Sequence, residues 1–123
     1  MIAIEDIPHL PDRQQRLDAL LVDCYGPEEE RAAFDVYCSD ALQPPFVASW
    51  QDPDEPGHAE TVTVLGVARV DGHRGVLLTV RRPSGKERAV LAEQLWARDP
   101  GGVNATVLDD YRQWVAGGGS DSA

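Results

Sequence analysis

The chain has 123 residues, 42% of them hydrophobic, which is the composition of one ordinary globular domain and not of a disordered segment. Its 21 acidic and 11 basic residues give a formal net charge of −10, which disfavours nucleic acid and anionic membranes as partners and favours cations or basic proteins. The acids are concentrated in residues 1–60, which hold fourteen of them against three arginines. We expect a cation-binding or protein-docking surface there, with solubility alone as the alternative interpretation.

Several functional classes lack their sequence signatures. No apolar run approaches the roughly 20 residues of a membrane span, and Glu5 and Asp6 stand where a signal peptide carries basic residues, so we expect a cytoplasmic protein. Cys24 and Cys38 are predicted to be buried free thiols, because no partner stands at zinc-ligand spacing. No nucleophile-elbow, P-loop or dinucleotide motif occurs, and we expect a non-catalytic protein.

The first elements are predicted to be an arm and a helix. Residues 1–10 have no clear period and are interpreted as an N-terminal arm. A helix is predicted over residues 11–24, with Pro11 at its first position. Its apolar residues recur at the spacing of one helical face: Leu17, Leu20, Leu21 and Cys24. Gly26 fits a left-handed residue that ends this helix.

A second helix is predicted over residues 27–42. Pro27 suits its first position, and the Gln43-Pro44-Pro45 sequence stops it. The residues predicted to form its buried stripe are Phe34, Tyr37, Cys38 and Ala41.

From residue 46 onward the pattern is that of short strands. The predicted strands cover residues 46–50, 60–70, 75–81 and 87–91, with a short final element at 95–96. Gly66 interrupts the alternation as a bulge does, and Asp71-Gly72 carries a hairpin signal. We predict a small antiparallel SH3-like β barrel over residues 46–98.

The last predicted element is a short helix over residues 106–115, with Thr106 and Asp109 as a capping box. Residues 117–123 are interpreted as a flexible tail. The predicted fold class is therefore α+β: N-terminal helices, the barrel and a short C-terminal helix form a single domain over residues 11–116.

The corner between the first two predicted helices gathers three acids. Asp23 is predicted in the last turn of the first helix, where the helix dipole disfavours an acid, and a tight turn brings it close to Glu28 and Glu29. Carbonyl oxygens at the helix end add further donors, and calcium takes about six to eight oxygen ligands. The corner thus has the chemistry of a hard-cation site. Alternatively, the glutamates only start the second helix, or Arg13, Arg16 or Arg31 neutralises the corner.

Other acids are weaker candidates. Asp40 shares a helix face with Glu29 but lies about 16 Å further along the axis, so a site there needs ligands from another element or subunit. Asp52 and Asp54 begin a stretch that resembles an EF-hand loop, but the later ligand positions do not match, and we predict only an exposed acidic loop that attracts cations. Asp109 is interpreted as a capping residue and not a ligand.

An ordered set of segments resembles the small prokaryotic calcium-binding proteins typified by cyanobacterial CcbP. These segments are Asp23-Cys-Tyr-Gly-Pro-Glu-Glu29, Pro45-Phe46, Val62-Thr-Val-Leu-Gly66, Val76-Leu-Leu, Ala89-Val-Leu-Ala-Glu-Gln-Leu95 and a last helix ending in Trp114. The resemblance implies helices on a small barrel and calcium binding by acidic side chains without an EF-hand, for calcium buffering or regulation. The positions that match the family are Asp23, Glu28, Glu29 and Asp40.

Two segments depart from the family pattern. The family tends to carry paired acids near the end of the second helix, where this chain has Ser39-Asp40. It also tends to carry an acid-rich insertion after the Leu-Gly bend, where residues 68–73 here include Arg69 and His73.

The hypothesis is a non-catalytic calcium-binding protein, with magnesium as a competing ion. The candidate ligands, in order of preference, are Asp23, Glu28, Glu29, Asp40, Asp52 and Asp54. The alternative is a non-catalytic acidic module that has kept the fold, has lost calcium binding and docks a basic protein partner.

Overall fold

The computed structural model describes residues 2–55, 57–68 and 75–117, and within them it combines helices with one antiparallel sheet. The α-helices are α1 (Arg13–Leu21), α2 (Pro27–Ala41) and α3 (Val103–Ala116). The strands are β1 (Phe46–Gln51), β2 (Ala59–Ala68), β3 (Leu77–Arg81), β4 (Glu87–Leu91) and β5 (Leu95–Ala97). Two 3-10 helices cover Ile4–His9 and Ala92–Gln94. The mixed helix and strand content agrees with the predicted class.

The five strands form an open sheet in the order β4-β3-β2-β1-β5. Only four Cα–Cα steps separate Leu91, at one edge, from Leu95, at the other, and they span at most about 14 Å. A flat five-strand sheet would hold those edges about 19 Å apart. The sheet is therefore curled, but no pairing of β4 with β5 closes it among the described residues. A closed SH3-like barrel is not confirmed.

The bulge predicted at Gly66 is confirmed. The pairing of β2 with β3 shifts register between Val64 and Gly66, and Gly66 has a φ of 153°. Residues that carry a side chain rarely adopt this backbone conformation, which explains why a glycine stands in the middle of the strand. The Asp71-Gly72 hairpin signal and residues 118–123 of the predicted tail lie outside the described residues.

The N-terminal region differs from its prediction in two respects. Residues 4–9 form a 3-10 helix, and Ile7 is buried in the core. Helix α1 begins at Arg13 and ends at Leu21, three residues earlier than predicted. Pro8 is buried beside Ile7, and two adjacent buried residues leave no helical or strand period in the sequence, so the pattern did not predict this element.

Helix α2 agrees with its predicted limits to one residue. Pro27 occupies the start of the helix, and the buried stripe is the predicted one: Phe34, Tyr37, Cys38 and Ala41. The predicted left-handed role of Gly26 is wrong, because its φ of 179° and ψ of 172° are extended.

Helix α3 begins three residues before the predicted start, so the predicted capping box is wrong. The carbonyl oxygen of Gly102 accepts hydrogen bonds from the backbone N–H and the hydroxyl of Thr106, which places Thr106 inside the helix. Asp109 instead forms ion pairs with Arg13 and with Arg112.

Aromatic rings join α2 to α3 in the core. The ring centroid of Phe34 lies 5.5 Å from that of Tyr111 and 4.9 Å from that of Trp114. Trp50 is fully buried on β1 and donates its indole N–H to Gln94 at 3.2 Å. The ring contacts pack α2 against α3, and the indole hydrogen bond joins β1 to the second 3-10 helix.

The side chain of Asp110 on α3 is a fully buried charge that contacts both other α-helices. Its carboxylate accepts hydrogen bonds from Arg16 Nε at 2.8 Å and Arg16 Nη2 at 3.0 Å, and from the Tyr37 hydroxyl at 2.9 Å. The hydrogen bond to Asp110 raises the pKa of Arg16. A buried carboxylate is tolerated only when it is paired and hydrogen-bonded in this way, so the network fixes the relative positions of α1, α2 and α3.

We expect Asp110→Asn to lower the free energy of unfolding by about 3–5 kcal/mol, because it leaves the half-buried Arg16 guanidinium without its anion. The matched control is Asp109→Asn, which changes the neighbouring, partly exposed acid and should cost at most about 1 kcal/mol. Urea unfolding at pH 7 measures both. Equal losses for the two variants would contradict the assigned role of Asp110.

Stability should also fall at alkaline pH. Burial raises the pKa of Cys38 to about 12 from 9.0 and that of Tyr111 to about 12 from 10.0, and it raises the pKa of Tyr37 as well. The folded chain therefore keeps protons that the unfolded chain loses above pH 9. Each such group lowers stability by up to about 1.4 kcal/mol per pH unit until its folded pKa is reached.

Urea unfolding between pH 8 and pH 11 tests this dependence. Cys38→Ala should be less stable at pH 8 but should show a shallower decline above pH 9. A stability that stays constant to pH 11 would contradict the assigned burial of these groups.

Candidate functional site

The segment between α1 and α2, residues 22–29, is here called the α1–α2 corner. Because α1 ends at Leu21, Asp23 lies two residues beyond the helix, not in its last turn as predicted. The backbone N–H of Cys24 donates to the Leu21 carbonyl at 3.0 Å and tightens this end. Asp23 is exposed at the corner, and because it lies beyond the last turn of α1, the helix dipole does not disfavour its charge as predicted.

The side chain of Glu29 fastens the corner from the α2 side. Its Oε2 accepts a hydrogen bond from the backbone N–H of Tyr25 at 3.2 Å, and the Gly26 carbonyl accepts one from the N–H of Glu30 at 3.0 Å. Glu29 thus holds the extended segment before Pro27 against the first turn of α2.

Asp23 and Glu29 face a common cavity. Both residues line a space of about 440 Å³ between the N-terminal 3-10 helix, α1 and α2. The half-buried thiol of Cys24 lies on the same wall, and its pKa is raised by burial and by the negative charges of Glu29, Glu30 and Asp23. Asp23 and Glu29 therefore border the same cavity and both act electrostatically on Cys24.

The three consecutive glutamates have different surroundings. Glu28 is exposed to solvent. Glu30 accepts a hydrogen bond from the Trp114 indole N–H at 2.8 Å, so its carboxylate is used in the contact between α2 and α3. The predicted ligands at this end of α2 are Glu28 and Glu29, and the Trp114 contact gives Glu30 a structural role.

Two of the three arginines predicted as possible neutralising partners of the corner pair with acids elsewhere. Arg13 pairs with Asp109, and Arg16 pairs with Asp110. Both cations are therefore used in the contact between α1 and α3, and neither pairs with the corner carboxylates.

The remaining predicted ligands are in separate places. Asp40 is exposed near the other end of α2, eleven residues from Glu29. Asp52 and Asp54 lie in the turn between β1 and β2, where Asp52 Oδ1 accepts the backbone N–H of Asp54 at 2.9 Å. This turn-forming bond gives the acids a local structural role. Across residues 2–55, 57–68 and 75–117, no group of three or more acidic, histidine or cysteine side chains is arranged to hold a metal ion.

Sequence reasoning missed the network around Asp110. The sequence does contain an indication of this network. Asp110 lies at helical spacing from Val107 and Trp114, which are both buried. An acid within an apolar stripe indicates a buried charge that needs a cation, and Arg13 and Arg16 supply it.

A family model for CcbP-type proteins, described as calcium binding, matches residues 15–115. The matched range includes the α1–α2 corner and nearly all of the three α-helices. It leaves out only the first two residues of α1 and the last residue of α3. The chain belongs to this calcium-binding family. Carboxylate oxygens are ligands that calcium prefers, so the donor chemistry of the corner fits the cation of the family.

Two solved structures share the fold. One is a calcium-binding protein in its calcium-binding form, with a TM-score of 0.73 and 23% identity over 96% of this chain and 98% of that one. The other is CcbP of Anabaena, with a TM-score of 0.72 and 23% identity over 85% of this chain and 89% of that one. At this identity the likeness establishes the fold.

A comparison with curated proteins finds no significant match. Among the helices of the described residues, none has the length and apolar character needed to cross a bilayer.

Proposed function

We propose that this protein binds calcium at the α1–α2 corner, through the carboxylates of Asp23, Glu28 and Glu29. The observation that carries the proposal is the family match, which spans the corner from end to end. The common cavity of Asp23 and Glu29 supports it, because both acidic residues line one space beside the corner.

Each residue of the corner has a distinct part in this proposal. Asp23 supplies a carboxylate from the α1 side, and Glu29 supplies one from α2 while one of its oxygens holds the Tyr25 N–H. Glu28 is exposed and completes the acidic set. Backbone carbonyl oxygens near the end of α1 and water supply the remaining hard oxygen ligands of a calcium ion.

The positions of the corner acids favour a modest affinity for calcium. Because no three of the acids are pre-assembled among the described residues, binding has to draw exposed side chains together against their mutual repulsion. A site of this kind suits reversible buffering or regulation of cytoplasmic calcium, with no catalytic step. Magnesium competes less well, because it demands a smaller and near-octahedral set of ligands.

Asp40, Asp52 and Asp54 are proposed as peripheral sites of cation attraction. Asp40 lies too far along α2 to join the corner, and the Asp52–Asp54 turn is stabilised by its own hydrogen bond. A docking module without calcium binding is the less favoured function, since the family match covers the corner.

Calorimetric titration of chelator-treated protein tests the site. We expect calcium to bind, and the double variant Glu28→Gln/Glu29→Gln to weaken the binding by tenfold or more, on the order of 1.4 kcal/mol. The control variant Asp52→Asn/Asp54→Asn removes the same charge from the β1–β2 turn and should change the affinity by less than about threefold.

An equal loss in both double variants would show that net charge and not the corner governs binding. Absence of calcium binding by the unaltered protein, with no calcium-dependent rise in melting temperature, would contradict the proposed function.

A further inference from the structure

A groove with apolar walls opens beside the α1–α2 corner. It is the 440 Å³ cavity already described, and its apolar walls come from the N-terminal 3-10 helix, α1 and α2. Ile4, Leu20 and Ala33 are among the residues that line it, and Val22 on its rim is 69% exposed. Tyr25, at the corner, is 89% exposed. The exposure of these large side chains indicates an apolar surface larger than the cavity itself.

One side of the groove is a second stripe along α2. The stripe follows helical spacing, at i, i+3, i+4 and i+7: Glu29, Ala32, Ala33 and Val36. Its middle positions are alanines, which let another backbone approach closely, and Val36 is 45% exposed. The buried stripe of α2 faces the core, so this second stripe is a separate face of the helix.

Acids mark both ends of this face. Glu29 and Asp23 line the groove at the end near the corner. Asp40 does not line the groove but is exposed four residues beyond Val36, about 16 Å along the axis from Glu29 on the same side of α2. No lysine or arginine lines the groove among the described residues. The groove therefore combines an apolar floor with two acids at one end and a further acid about one helical turn beyond the other end.

We propose that this groove docks an amphipathic helix of a partner protein, whose apolar face is flanked by lysine or arginine residues. An apolar stripe at i, i+3, i+4 and i+7 spacing fits the groove in the helix-in-groove mode. Basic residues toward the ends of that helix pair with the Asp23–Glu29 pair and with Asp40. Asp40 and Glu29 are too far apart to share one ion, but their separation of about 16 Å along the axis suits two basic side chains on one helix.

Calcium weakens this docking. An ion bound by Asp23 and Glu29 occupies the carboxylates that would pair with the partner, so calcium and the helix compete for one end of the groove. By linkage the helix lowers calcium affinity by the same factor. This coupling rests on the proposed calcium function, whereas the docking itself does not.

Fluorescence anisotropy with a labelled synthetic peptide tests the docking. The probe is an amphipathic peptide of about 18 residues with leucine at i, i+3, i+4 and i+7 spacing and lysine elsewhere, used in chelator. We expect it to bind, and a scrambled peptide of the same composition to bind at least about tenfold more weakly. Equal binding of the two peptides, or binding of neither, would overturn the proposal.

Substitutions at two valines of nearly equal exposure distinguish apolar docking of the peptide from its attraction by charge alone. Val36→Asp places a charge in the groove, and Val47→Asp places the same charge on β1, where the valine is 46% exposed against 45% for Val36. We expect Val36→Asp to weaken peptide binding about tenfold, and Val47→Asp to change it by less than about twofold.

If charge alone drove binding, the Val36→Asp variant would bind the basic peptide as tightly as the unaltered protein or more tightly. That result would overturn the proposal that the peptide docks in the groove. Far-UV circular dichroism and melting temperature check that both variants are folded.

The calcium arm separates the two proposals. The same titration with saturating calcium should weaken peptide binding severalfold, and calorimetry on the same sample reports whether calcium binds. Calcium binding with unchanged peptide affinity would overturn the coupling. Peptide docking without any calcium binding would contradict the proposed function and leave the docking groove standing.

Discussion

The buried carboxylate of Asp110 is the constraint on which the helical half of this fold depends. A charge without solvent is costly unless it is paired, and Arg16 and Tyr37 satisfy it from two other helices. The position of α1 relative to α2 is thereby fixed at one end. The Trp114–Glu30 hydrogen bond fixes the first turn of α2 against α3 in the same way. Between these two attachments lies the α1–α2 corner, whose geometry is a consequence of them.

The same network also takes up two of the three arginines of the acidic N-terminal half, residues 1–60. Both are paired with acids of α3, from the other half of the chain. The carboxylates at the corner are left without these cations, although Glu29 also fastens the chain locally. Because these arginines pair elsewhere, the corner stays acidic beside an apolar groove. Such a surface suits a hard cation, a basic helix, or competition between the two for the same carboxylates.

Much of the fold is predictable from local pattern. The buried stripe of α2 follows from helical spacing, and the bulge at Gly66 follows from a glycine within a β-branched run. The curl of the sheet is a tertiary property, and no local pattern reports it. The start of α3 was missed because Gly102 begins the helix without a side-chain cap, and Thr106 resembles a cap while lying inside. At the corner, sequence separation predicted that Asp23 and Glu29 approach one another. It could not reveal that Glu30 is used by Trp114, since that contact joins residues 84 positions apart.

A calcium titration followed by amide nuclear magnetic resonance of the isotope-labelled protein tests the central claim most directly, because it reports each position separately. Calcium binding at the corner should give saturable shifts centred on the amides of Tyr25 and Glu29, with smaller changes along the groove face of α2 and little change at Asp54. Shifts confined to the β1–β2 turn or to the end of α2 near Asp40, with the corner amides unmoved, would contradict it.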